Sequence, residues 1–85
     1  MRVADEIETR LRAAFAPSAL EVVDESEQHI GHAGYQEGGQ SHFRVHIRAE
    51  VFGPMSRIAR HRAVHAALGK DLVGRIHALA LQIEG

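Results

Sequence analysis

The chain has 85 residues, a net charge of −1 at neutral pH, 45% apolar and 25% charged residues, and no cysteine. This length predicts a single domain over residues 1–85 that buries only a little more than about 60% of its unfolded surface. The missing thiols exclude disulfide staples, thiol catalysis and any metal cluster held by the chain's own cysteines. No apolar run is long enough to cross a bilayer, and the acids of the first residues stand where a secretory signal needs an apolar core, so a cytoplasmic protein is expected.

Val3, Ile7, Leu11 and Phe15 recur every four residues and predict a helix from Val3 to Ala14 with one apolar stripe. Asp5, Glu6 and Glu8 fall early in it and Arg10 and Arg12 late, as the helix dipole favours, and Pro17 ends it. Leu20 to Glu25 reads as a strand, with Leu20 and Val22 on one face and Glu21 and Val23 on the other. No apolar period runs through the next stretch, from Glu25 to Phe43, which carries His29, His32 and His42 and four glycines. It reads as a long loop, of a length small domains keep when it is functional or disordered.

From Ser41 to Val51, Phe43, Val45, Ile47, Ala49 and Val51 alternate with His42, Arg44, His46, Arg48 and Glu50. This is the pattern of a strand in a sheet covered on one side, with a cationic, solvated face that includes His42 and His46. Phe52 to Met55 is a turn, Ser56 an N-cap and Gly69 a C-cap for a second helix. Ile58, His61, Val64, His65 and Leu68 share one face of that helix. His61 lies near the centre of the face, and both histidines read as core or half-buried residues with one nitrogen bonded. Arg60 and Arg62 are then expected outward or along the rim. Lys70 to Arg75 reads as a short helical turn broken by Gly74. Ile76 to Ile83 reads as a third strand, with Leu79, Leu81 and Ile83 towards the helices and His77 at its start, within reach of solvent.

The helix between strands two and three is a crossover, which makes those strands parallel. The expected fold is α+β, in the order helix–strand–strand–helix–strand: a three-stranded mixed sheet with helices on one face.

Charge divides along the chain. Residues 1–41 set three arginines against eight acids, a balance of −5, and residues 42–75 set seven cations against two acids, a balance of +5. Such a basic half suits a solvated face, phosphate or an acidic protein surface. There is no cysteine nucleophile, no Gly-x-Ser-x-Gly elbow, no phosphate loop before a helix and no His-Glu-x-x-His helix. A non-enzymatic protein is therefore expected. Seven histidines remain to be explained, among them His29 and His32, which packing explains least, and His77, for which packing and ligation are equally open.

Val-Val-Asp-Glu-Ser-x-x-His (22–29), Ser-His-Phe-Arg-Val (41–45), Arg-His-Arg (60–62) and Ile-His-Ala-Leu-Ala (76–80), in that order and spacing, resemble the BolA-like family. The resemblance implies a class II KH-like fold. It also implies a non-enzymatic adaptor that pairs with a monothiol glutaredoxin and co-ligates a shared [2Fe–2S] cluster, in iron–sulfur cluster assembly, trafficking or iron and redox sensing. The glutaredoxin side would supply a cysteine and a bound glutathione, and this chain alone would hold no cofactor. Carried onto this sequence, the last-strand ligand is His77 and the loop ligand is His29, with His32 as the alternative. Replacing two thiolates of such a cluster by imidazoles raises its potential, as in Rieske centres.

One departure is the turn Phe52-Gly-Pro-Met-Ser56, where relatives carry Phe-x-Gly-Lys-Ser. The alternative expectation is a KH-like nucleic-acid-binding transcriptional regulator that contacts DNA through Arg44, Arg48, Arg57, Arg60 and Arg62. Against it stand a sequence pI near 6.6 and the lack of an evident Gly-x-x-Gly clamp. The free chain is expected to be a monomer or weak homodimer.

Overall fold

The structure, a computed structural model, describes residues 2–25 and 42–85. Helix α1 (Val3–Phe15) buries Ile7 and Leu11, and Phe15 packs on Phe52 with ring centroids 4.7 Å apart. The anticipated stripe is therefore the packed face. The helix closes before Pro17 by a left-handed residue, Ala16 (φ 45°, ψ 56°), whose N–H donates to the Arg12 carbonyl. A left-handed alanine is strained by roughly 1–2 kcal/mol, while glycine in its place gives back roughly 0.4–1 kcal/mol through the freer unfolded chain. Ala16→Gly is expected to raise stability by about 0.5–1 kcal/mol, the difference between these terms. An unchanged or lower urea midpoint would contradict that reading of the cap.

Strands β1 (Ala19–Asp24), β2 (His42–Arg48) and β3 (Ala78–Glu84) form one sheet in the order β1-β2-β3. β1 and β2 are antiparallel, with Val22 opposite Val45. β2 and β3 are parallel, with Val45 beside Leu81, as the helical crossover requires. Phe43, Val45 and Ile47 of β2 are buried, and Leu79, Leu81 and Ile83 of β3 pack against the same core. Arg44, His46 and Arg48 share the opposite, open face, which the two-residue period dictates. The expected α+β architecture is the observed one.

β2 stops three residues before the anticipated Val51. Phe52 N–H bonds the Ala49 carbonyl and Gly53 N–H that of Glu50, winding Glu50–Phe52 into a 3-10 turn. The turn swings Phe52 into the core and leaves Val51 45% exposed, so alternation continued past the end of the ladder. β3 begins at Ala78 rather than Ile76, because Arg75 and Ile76 are still bonded back to Leu72 and Val73.

Ser56 caps α2 (Arg57–Leu68) by accepting the Ala59 N–H at 3.1 Å. The buried face of α2 is Val64 and Leu68, flanked by Ala63 and Ala67. It is rotated from the one expected, since Ile58 is 64% exposed and His65 is also exposed. Ala63 and Ala67 pack against the core as well, so the stripe is not set by the large apolar residues alone. His61 is half-buried. Arg60, expected outward or on the rim, instead donates to three carbonyls: Phe52 (2.8 Å), Ile83 (3.2 Å) and Gly53 (3.4 Å). It ties the turn before α2 to the end of β3. A short α3 (Lys70–Val73) follows.

Candidate metal centre

The C-terminal end of β1 lies beside the starts of β2 and β3. Asp24 is opposite Phe43, and Phe43 is beside Leu79. Glu25 N–H donates to the His42 carbonyl at 2.8 Å, so the chain leaves the sheet and re-enters it at one point. His29 and His32, the expected loop ligands, belong to the segment between those two ends and lie outside the described residues.

His77 stands immediately before β3 at the same end of the sheet, and its side chain is exposed. It follows Ile76, which packs on the core, so the backbone is held while the imidazole is presented. The preceding residues are tied down as well. Arg75 grips both carboxylate oxygens of Glu6 (3.2 and 3.1 Å). Arg10 reaches Asp71 at 3.4 Å and also donates to the Leu68 carbonyl. These bonds fasten α1 to the α3 segment that leads into His77.

His42 departs from its expected solvated role. It is only 5% exposed, and its ring centroid lies 4.9 Å from that of His77, tilted by 54°. Its register partner is Ala78, whose methyl group leaves the two rings room to meet. Strand parity placed His42 on the open face correctly. What it could not show is that the residue preceding β3 folds over that face.

Among the described residues, no cluster of three or more histidines, aspartates or glutamates could hold a metal ion. His77 therefore cannot complete a metal sphere with described neighbours. It is instead a nitrogen donor open to a ligand set assembled from elsewhere, and its imidazole suits a thiolate-poor iron site. In donor type and accessibility it fits the cluster implied by the resemblance.

The five arginines proposed for nucleic acid do not form one surface. Arg44 and Arg48 lie on the open face, near Glu25 (3.5 Å) and Glu84 (3.4 Å) respectively. Arg57 and Arg62 are exposed on α2, across the sheet. Arg60 is committed to backbone carbonyls. His46 also contacts Glu84, so the open face is less cationic than its sequence suggests.

The hydrogen bond from Arg75 holds the Glu6 carboxyl below the usual carboxylate range, that from Arg10 does the same for Asp71, and that from His46 for Glu84. Acids whose pKa falls on folding stabilise the fold above the unfolded carboxylate value, near pH 4, and lose that contribution as pH falls through the lowered folded value. Thermal stability is thus expected to drop below about pH 4, with a shallower drop in Glu6→Gln. A Glu6→Gln acid profile parallel to that of the parent would contradict this.

A family model described as BolA-like protein matches residues 11–84. The chain belongs to the BolA-like family. It is 41% identical over 81 residues to the DNA-binding transcriptional regulator BolA of Escherichia coli K12, covering 95% of this chain and 73% of that one. It is 45% identical over 76 residues to human BolA-like protein 1, covering 89% of this chain but only 53% of the relative, about half its length. BolA1 from Arabidopsis thaliana superposes with a TM-score of 0.82 at 28% identity, over 99% of this chain and 92% of that structure. This BolA-like chain has, among its described residues, no helix long and apolar enough to cross a membrane.

Proposed function

We propose that this BolA-like chain is a non-enzymatic adaptor that docks a monothiol glutaredoxin and donates imidazole ligands to a [2Fe–2S] cluster shared with it. The observation that carries this reading is the exposed imidazole of His77, next to the point where the segment bearing His29 and His32 leaves and re-enters the sheet. Thiolates would come from the partner and its glutathione, since the chain has no cysteine. His77 would be one ligand, and His29, or alternatively His32, the other. The shared cluster would supply redox-active iron at a potential raised by imidazole ligation. The chain's own residues supply orientation: Ile76 anchors the backbone in the core, His42 lies against the His77 ring, and the Glu6–Arg75 pair steadies the segment before it. The chain is mixed with a cluster-loaded monothiol glutaredoxin and visible circular dichroism is recorded. A new cluster spectrum at equal stoichiometry is the expected result, and an unchanged spectrum contradicts the reading.

A second reading has one specific observation behind it: the E. coli relative is named a DNA-binding transcriptional regulator. Arg44 and Arg48 on the open face, or Arg57 and Arg62 on α2, would then meet phosphates. Duplex binding that weakens steeply with salt and prefers one sequence would favour it.

A further inference from the structure

β3 is an edge strand. Ala49 N–H bonds the Glu84 carbonyl, which fixes Ala78, Ala80, Gln82 and Glu84 as the residues bonded towards β2. The N–H and C=O groups of Leu79, Leu81 and Ile83 therefore face outward, and the Ile83 carbonyl is taken by Arg60. Edge strands are commonly protected by lysine, proline or a bulge. Ala78–Glu84 has neither lysine nor proline, and its one charged side chain, Glu84, is engaged by His46 and Arg48.

Beside this edge lies a groove of about 480 Å³, lined by Met55, Arg57, His61, Leu81 and Ile83 among others. It adjoins an apolar hollow of about 360 Å³ formed by Arg57, Ile58, His61, Arg62 and His65. No acidic residue lines either space, and no carboxylate pairs with Arg57 or Arg62 among the described residues. Ile58, at 64% exposure, is the most exposed large apolar residue described.

We propose that β3 accepts an extended acidic–apolar segment of a partner protein as a fourth strand. Main-chain groups of Leu79 and Leu81 would pair with the segment, as in strand addition. Its carboxylates would meet Arg57 and Arg62, and its apolar side chains would meet Ile58 and the groove floor. The chemistry disfavours other occupants. A second copy would bring two such cationic grooves together, which like charges oppose. A nucleic acid would have only the imidazoles of His61 and His65 for stacking and would leave the exposed Ile58 without an apolar partner.

The probe is a short capped peptide in which threonine alternates with glutamate and valine in turn, so that acidic and apolar side chains share the strand face turned to α2; it is added without glutaredoxin or cluster, so the outcome is independent of the proposed function. Binding is followed by backbone amide shifts and hydrogen exchange. The expected result is protection of the Leu79 and Leu81 amides. Affinity should fall about tenfold or more in the double variant Arg57→Glu, Arg62→Glu, and be lost when alternate peptide nitrogens are methylated. Equal binding by the same peptide with lysine in place of glutamate, no protection on β3, protection of that edge by a second copy without peptide, or binding there by oligonucleotide alone would each overturn the proposal.

Discussion

Phe52→Ala is expected to cost about 3–5 kcal/mol of folding stability, the range for removing a buried aromatic ring. Phe52 has 0% exposure and closes the core between α1 and the sheet through its contact with Phe15. It also sits at the 3-10 turn whose carbonyls receive Arg60, so the cavity would open where β2 hands over to α2. Small domains have total stabilities of about 5–15 kcal/mol, and a short chain lies towards the low end, so the variant should be largely unfolded at modest urea. Phe52→Leu keeps most of the volume and should cost less, about 1–3 kcal/mol. Val51→Ala, one residue away but 45% exposed, should change stability by no more than about 0.5 kcal/mol. Urea midpoints of the three variants check the ordering. Equal losses for Phe52→Ala and Val51→Ala would mean the turn does not place its residues as described.

The largest functional effect is expected at His77. His77→Ala should leave stability within about 0.5 kcal/mol of the parent, because the side chain is exposed. It should also abolish the dichroism change produced with a cluster-loaded glutaredoxin. Losing a residue that only orients a metal ligand typically costs 10–100-fold in affinity, and losing the ligand itself should cost at least as much. His42→Ala is a separate case. Its ring is buried against His77, so a weaker response with some loss of stability is expected. An unchanged dichroism response in His77→Ala would remove His77 from the site.

Much of this architecture is written in periodicity. The four-residue recurrence of Val3, Ile7, Leu11 and Phe15 is the packed face of α1, and the parity of Phe43, Val45 and Ile47 separates core from open face in β2. The errors have common physical causes. The large apolar residues of α2 point to a face that includes Ile58, whereas the packed face also takes in Ala63 and Ala67 and leaves Ile58 exposed. Arg60 could not be read as a clamp, because its partners are carbonyls supplied by the tertiary turn at Phe52 and by the end of β3. The same limit hid the His42–His77 contact, since two residues 35 positions apart meet only once β2 and β3 are paired in parallel. His77, by contrast, was legible as an exposed residue at a strand start. The neighbours that steady it, Glu6 and Arg75, were not, because ion pairs between distant elements carry no local pattern.

The proposed adaptor role rests on an imidazole of this chain binding iron of a shared cluster. It is tested most directly by labelling the chain's histidines with a nitrogen isotope, mixing it with an unlabelled, cluster-loaded monothiol glutaredoxin, reducing the complex and recording pulsed electron paramagnetic resonance. Strongly coupled labelled nitrogen, diminished in His77→Ala, is the expected result. A reduced cluster in the complex with no coupling to labelled nitrogen would contradict it.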